Sequence, residues 1–335
     1  MEKVIQPKFS ILYNNNDITT DIKPFIMALN YIDVVESESD TIEITVDDTD
    51  GNWRFIWFPE KGATLDVSIG YDETLIPCGV FTIDEIAFSG PPEKVSIRGL
   101  ASPISLELRT KKSRAHENKK LSQIAATIAN ENGLTLLGDF DEDILIKRST
   151  QNDESDLSYL NRLGIEFGYL FSVRDSQLIF SSILNIEATA SVTEVSRTDI
   201  TRYDFTDKGV KTYSAAVVKY RDPNQNKLIK SEVTSSETDV SSDKLEVITK
   251  AENMGQAERK AQIALHRSNT RKVKGTLSLF GNPALLAGSS FDLVRMGALS
   301  GKYHIIRSNH SLSASSGYTT NIEIKKIGDI DQSRW

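Results

Sequence analysis

With 335 residues, 39% of them hydrophobic and 26% charged, the chain is long enough to bury two or three cores. A net charge of −8, from 39 basic and 47 acidic residues, argues against wholesale nucleic-acid binding, which depends on concentrated Lys and Arg against phosphate. No apolar run nears the ~18 residues of a membrane helix, and a lone Cys78 with four scattered histidines (His116, His266, His304, His310) offers neither a disulfide framework nor a metal-ligand spacing.

The opening residues Met1–Lys8 lack the apolar stretch of a secretory signal, so synthesis in the cytosol is expected. Residues 1–104 read as a first β domain. Ile42, Ile44 and Val46 alternate with polar residues, as do Leu65, Val67 and Ile69, so each strand has one buried face. Phe81, Ile83 and Ile86 follow the same rule with one slip, which suggests a bulge. Asp47–Gly51 and Gly90–Pro92 punctuate the strands as turns.

Residues 105–203 change character and read as an α+β domain. Leu121, Ile124, Ala125 and Ile128 recur at helical spacing, with Gly133 as a stop. Asp153–Asp156 supplies capping oxygens for a second helix carrying Leu157, Leu160, Leu163 and Phe167, ended by Gly168. A hairpin follows, Tyr169–Val173 and Gln177–Phe180.

Residues 204–335 return to β. Val217–Tyr220 and Leu228–Ile229 flank a turn at Asp222–Asn226, and residues 231–244 are polar enough for a mobile loop. One helix, about Gly255 to Arg267, turns Ala257, Ala261, Ala264 and Leu265 to the core. Four more strands then repeat a pattern from the first domain. Thr41–Val46, Gly62–Val67, Gly79–Ile83 and Glu93–Arg98 correspond to Gly275–Phe280, Gly288–Leu293, Gly301–Ile305 and Thr319–Ile324. The second strand reads Gly, small, Thr or Ser, large apolar, Asp, aliphatic in both copies. Gly62 to Gly79 spans 17 residues and Gly288 to Gly301 spans 13. The expected fold is therefore mainly β with an α+β insertion: two similar small β-barrels flanking an α+β domain.

Motifs for chemistry are few. Asp139–Asp143 resembles the start of a calcium loop, but the positions for its Gly and its closing carboxylate hold Ile144 and Thr150, so a solvated acidic turn is expected. Asn309–Ser311 matches a glycosylation sequon by chance. Arg109–Lys120 and Arg259–Lys274 each hold six Lys or Arg residues. Without interleaved aromatics they read as a solvated helix face and a linker rather than a stacking surface; Arg271, Lys272 and Lys274 are the candidates for contact with an acidic partner. No nucleophile elbow, Walker loop or dinucleotide fingerprint occurs, so no catalytic, cofactor-binding or metal-binding residue is assigned.

Three blocks together resemble one family. Asp153–Phe171 is similar to the E-S-D-x-x-F-L-x-R-L-x-E-E-x-G-Y segment of phage late-control D proteins, the baseplate hubs of contractile tails, and to the hub portion of type VI secretion VgrG spikes. The helix Ala257–Arg271 and the stretch from Leu279–Leu293 through Leu299–Tyr303, His310 and Ser316–Thr320 are the other two. The resemblance implies a virion tail baseplate protein rather than an enzyme: a homotrimeric ring joining a hexameric tail tube protein to a trimeric tail spike protein, with the tape-measure protein a further contact. It implies a channel for DNA without stable nucleic-acid binding, no cofactor and no membrane. The chain ends just after the second β domain, so a separate spike protein is expected. A wall-degrading hydrolase and a non-viral β-barrel binding protein are the rival readings; an infectious phage, a defective prophage and a tailocin all remain open.

Overall fold

The computed structural model describes residues 6–35, 39–72, 74–101, 106–140, 143–174, 177–208, 213–222, 227–235, 242–249, 251–269 and 273–328. A hairpin of β1 (Pro7–Tyr13) and β2 (Asn16–Asp17) leads through α1 (Thr19–Ile22) to β3 (Ile26–Val34) and β4 (Thr41–Asp47). Then come β5 (Thr64–Tyr71), β6 (Thr74–Ser89) and β7 (Lys94–Ala101). They pair antiparallel in the order β3-β4-β7-β6-β5-β1-β2. The alternation in β4 has its expected effect: Ile42, Ile44 and Val46 are wholly buried while Glu43 and Asp47 face solvent.

The middle of the chain holds α2 (Leu106–Arg109), β8 (Lys111–Lys120), α3 (Leu121–Glu131), β9 (Thr135–Gly138), β10 (Leu145–Ser155), α4 (Asp156–Phe167), β11 (Tyr169–Arg174), β12 (Gln177–Ser182) and α5 (Ile183–Ala188). The apolar stripes of α3 and α4 meet β11 and β12 in one core. Ser155 caps α4 by accepting the Ser158 N–H at 3.2 Å, and Gly168, at φ +85°, closes it by donating to Gly164 O at 2.9 Å. The first basic stretch is a strand, β8, paired with β10, not a helix face or linker. Lys112 and Arg114 reach the fully buried Asp156 at 2.6 and 2.7 Å. Burial pushes the Asp156 pKa up, but hydrogen bonds from Lys112 and Gln151 and the Arg114 charge outweigh it and hold the carboxyl below the usual range.

After β13 (Glu194–Ser196) and β14 (Ile200–Asp207) the chain makes an excursion: β15 (Ala215–Asp222), β16 (Lys227–Thr234) and β17 (Lys244–Val247) form a sheet under α6 (Met254–Asn269). β16 extends through Thr234, so the start of the expected loop at 231–244 is strand; 236–241 lie outside the described residues. Ala257, Ala261 and Leu265 of α6 pack on this sheet. Its other side reaches α4, where Lys260 pairs with Glu166 and Arg259 donates to Phe167 O at 3.3 Å.

The last strands are β18 (Val273–Phe280), β19 (Ser290–Val294), β20 (Gly301–Ser313) and β21 (Gly317–Gly328). Their order, β14-β18-β21-β20-β19-β13, repeats β3-β4-β7-β6-β5-β1 of the first unit, except that β13 runs parallel to β19 where β1 runs antiparallel to β5. The match extends to irregularities. Met27 and Thr201 are skipped in the pairing of β3 with β4 and of β14 with β18. Asp84 and Ile306 are skipped where β6 meets β7 and β20 meets β21. Gly62 and Gly288 share φ +87°, and each donates 2.9 Å to the matching Ile83 or Ile305 carbonyl. β5 and β19 align as the sequence blocks do. The outer strands run one residue out of step with them, because Thr41 is level with Lys274 and Ile97 with Ile322.

The expectation of two separate small barrels is corrected. Among the described residues no barrel closes; instead the two units share one thirteen-stranded sheet. The cause is β20, whose first half pairs with β19 and whose second half, Arg307–Ser313, takes β3 of the other unit as its neighbour. One length of backbone thus serves two partners, and among the described residues the sheet stays open at β14, at β13 and at β2.

Candidate interaction surface

Of the residues expected to touch a partner, Arg271 and Lys272 lie outside the described residues. Lys274 is exposed on β18 between Thr206 and Lys325. It lines a cleft of about 270 Å³ with Arg267, His304 and Lys325, bounded by Ile165 and Leu170 of the middle region. Burial and the Lys325 charge push His304 down to about 3, so His304 is neutral at neutral pH. Asp143 of the acidic turn accepts from Ser122 Oγ at 2.8 Å, and Phe140 packs on Tyr169 and Phe180. Among the described residues no group of three His, Cys, Asp or Glu side chains could hold a metal ion.

A larger feature escaped the sequence reading. Between β4 and β5 the loop Asn52–Pro59 carries Trp53, Phe55, Ile56, Trp57 and Phe58. Asp48, itself buried, anchors it by accepting the Trp53 N–H at 2.9 Å and pairing with Arg54 at 2.7 Å. Gly51, at φ +73°, makes the turn into it. Trp53 and Trp57 pack edge-on with Phe25 over a groove of about 450 Å³. The tip stays in solvent: Phe55 is 80% exposed and Ile56 83%. Phe58 stacks on Phe88 of β6, rings 5.8 Å apart, and both are exposed. A cluster of four exposed large apolar side chains, Phe55, Ile56, Trp57 and Phe58, marks a surface built for contact. Its density between Gly51 and Pro59 was the available signal in the sequence.

The seam between β20 and β3 shows what a covered version of this surface looks like. His310 stacks on Tyr31 across the seam, centroids 6.0 Å apart. Its Nδ1 meets the Tyr318 hydroxyl at 2.8 Å and its Nε2 lies 3.2 Å from Leu285 O, a set that suits the neutral ring. Burial pushes His310 down to about 4 against the pull of the Leu285 carbonyl. The loop between β18 and β19 lies over the seam, and its Ala287 N–H donates to Asp33 of β3 at 2.8 Å.

Comparison with known proteins gives the same answer at three levels. A family model described as phage tail baseplate hub (GPD) matches residues 100–316. A probable baseplate hub protein of Escherichia phage 186 is 29% identical over 233 residues, covering 67% of this chain and 59% of its own length. The chain thus spans less than two thirds of that relative. Among solved structures, the 43 kDa tail protein of prophage MuSo2 from Shewanella oneidensis is similar in fold, with a TM-score of 0.71 at 15% identity over 96% of this chain and 98% of its own. A component of the E. coli type VI secretion system, whose description notes structural similarity to T4 bacteriophage tail proteins, has a TM-score of 0.58 at 11% identity over 92% of this chain and 74% of its own.

Proposed function

The chain belongs to the phage tail baseplate hub (GPD) family, a structural and non-enzymatic family of the virion tail baseplate, and on that premise we propose that three copies form a ring adapting the sixfold tail tube to the threefold spike. The observation that carries this reading is the duplicated β unit. Two units per chain with one strand order and matching irregularities let a trimer offer six nearly equivalent surfaces to a hexamer while keeping true threefold symmetry for a trimer. Closure is then a property of the ring rather than of the chain, which accounts for an open sheet where barrels were expected.

In this reading residues 1–104 line the ring together with β13, β14 and β18 to β21. The middle region from α2 to α5 sits outside it, with the excursion of β15 to β17 and α6, which docks on α4. DNA passes through a lumen that is neutral or acidic, in keeping with the net charge of −8. The tube protein, the spike protein and the tape-measure protein are the partners, in a contractile tail of a phage or a tailocin. Mass photometry of the purified chain, alone and with its spike, tests the ring. A particle of three times the 37.3 kDa chain is expected. Monomers alone at micromolar concentration with spike present would overturn it.

A further inference from the structure

The two β units share one strand order, yet one of their equivalent edges is occupied and the other is open. In the second unit, residues 307–313 of β20 carry β3. In the first unit the equivalent stretch is Glu85–Ser89 of β6, which pairs with β7 on one side only; among the described residues no strand occupies its other side. The strand equivalent to β3 is β14, which pairs with β18 alone and ends the sheet. An open edge and an open strand, each the counterpart of a member of a seam already formed inside the chain, point at each other in different copies.

We propose that β14 of a second copy of this chain docks on the outer half of β6, in the register that β3 keeps on β20. The proposal rests on the ring reading and names the seam that would close it. Its register follows from the matched bulges, which set Glu85, Ala87 and Phe88 level with Arg307, Asn309 and His310, and Phe205, Thr206 and Asp207 level with Tyr31, Ile32 and Asp33. Transferring the pairs of the internal seam puts Glu85 opposite Lys208 of the second copy, Ala87 opposite Thr206 and Phe88 opposite Phe205.

Each of these is a sensible neighbour. Phe88 with Phe205 replaces the stacked His310–Tyr31 pair by another aromatic pair. Phe205 already meets Tyr303 edge-on at 5.9 Å, just as Tyr31 meets Phe81 at 6.0 Å, so its ring stands in the seam position. Glu85 and Lys208 are of opposite charge and exposed, and the ion pair of Glu85 with Arg98 is long, at 3.8 Å. Asp207 stands where Asp33 stands; the backbone position that would meet it is Lys61, the counterpart of Ala287. The aromatic loop falls into place as well. It is the counterpart of the loop that covers the internal seam, so Phe55 to Phe58 would lie over the incoming strand and leave solvent. The docked strand would also remove two bare sheet edges that otherwise invite unspecific pairing.

The test is a disulfide across the predicted pair in the full-length chain, with Cys78→Ala as background. Facing residues in an antiparallel pair lie about 4.5–5.5 Å apart at Cα, within the reach of a disulfide. Ala87→Cys with Thr206→Cys should give covalent dimers and trimers on mild oxidation of the assembled particle. Ala87→Cys with Asp204→Cys, about 7 Å out of register, should not. Particle size is measured first, so the two ideas fail separately: a trimeric particle that crosslinks equally or better out of register, or not at all, overturns this seam and leaves the ring standing. A chain that never exceeds a monomer overturns both. Charge reversal gives an independent arm. Glu85→Lys and Lys208→Glu alone should each weaken assembly about tenfold, and together restore most of it; a double variant as weak as the singles would count against the register.

Discussion

Asp33 and Asp207 hold the same position in two copies of one fold and live in opposite surroundings. Asp33 is wholly buried and accepts the Ala287 N–H at 2.8 Å, while Asp207 faces solvent. His310 and Phe88 differ in the same sense: the first is sealed in the seam, the second is 43% exposed with Phe58 stacked on it. The lesson is that exposure of an apolar or acidic side chain here does not report its design. It reports whether a neighbouring strand of this chain covers it.

The comparison can be broken by substitution in the isolated chain. Tyr31→Ala should cost about 3–5 kcal/mol, the usual loss for a large buried ring, whereas Phe88→Ala should cost less than about 1 kcal/mol; equal losses in denaturant unfolding would mean that the two edges are not alternative states of one design. Asp33→Ala leaves a buried N–H without its acceptor and should cost about 1–3 kcal/mol, against no more than about 0.5 kcal/mol for Asp207→Ala, read as a difference in Tm. The smallest effect is the pH dependence of the filled seam. His310 has its pKa lowered to about 4 in the fold from the ordinary 6.5, so the unfolded chain binds its proton first. Its contribution is present in full above pH 6.5 and is lost as pH falls toward 4, by about 1–3 kcal/mol at most. His310→Gln should flatten that part of the stability–pH curve, and an unchanged slope would remove His310 as its source. His304, lowered to about 3, adds to the same slope in the wild-type chain and remains in the variant.

Much of this architecture was legible in the residues, and the failures have physical causes. The helices were readable because Leu121 to Ile128 and Leu160 to Phe167 keep one spacing and end at Gly133 and Gly168, both at positive φ. The second strand of each β unit aligned because Gly62 and Gly288 anchor it. The first strand slipped by one residue because the position equivalent to Ile42 is Gly275, covered by the Phe205 ring of β14, while the exposed Phe280 imitated a core residue. Strand β3 was unreadable as a partner of β20, since pairing across 281 residues, as between Asn30 and Ser311, leaves no periodic trace. The basic residues misled in a different way. Lys112 and Arg114 neutralise a buried Asp156 that only the fold brings near, and the apolar loop at Asn52–Pro59, the better candidate for contact, carries almost no charge.

The seam between β20 and β3 also bears on how an assembly of these chains would count its parts. Both strands belong to one covalent molecule, so they meet at the high effective concentration of a tethered pair and need no encounter between molecules. Units therefore arrive in twos, already joined. Any closed ring built from this chain contains an even number of units, and the odd-numbered circles that five or seven separate subunits could form are ruled out before assembly begins.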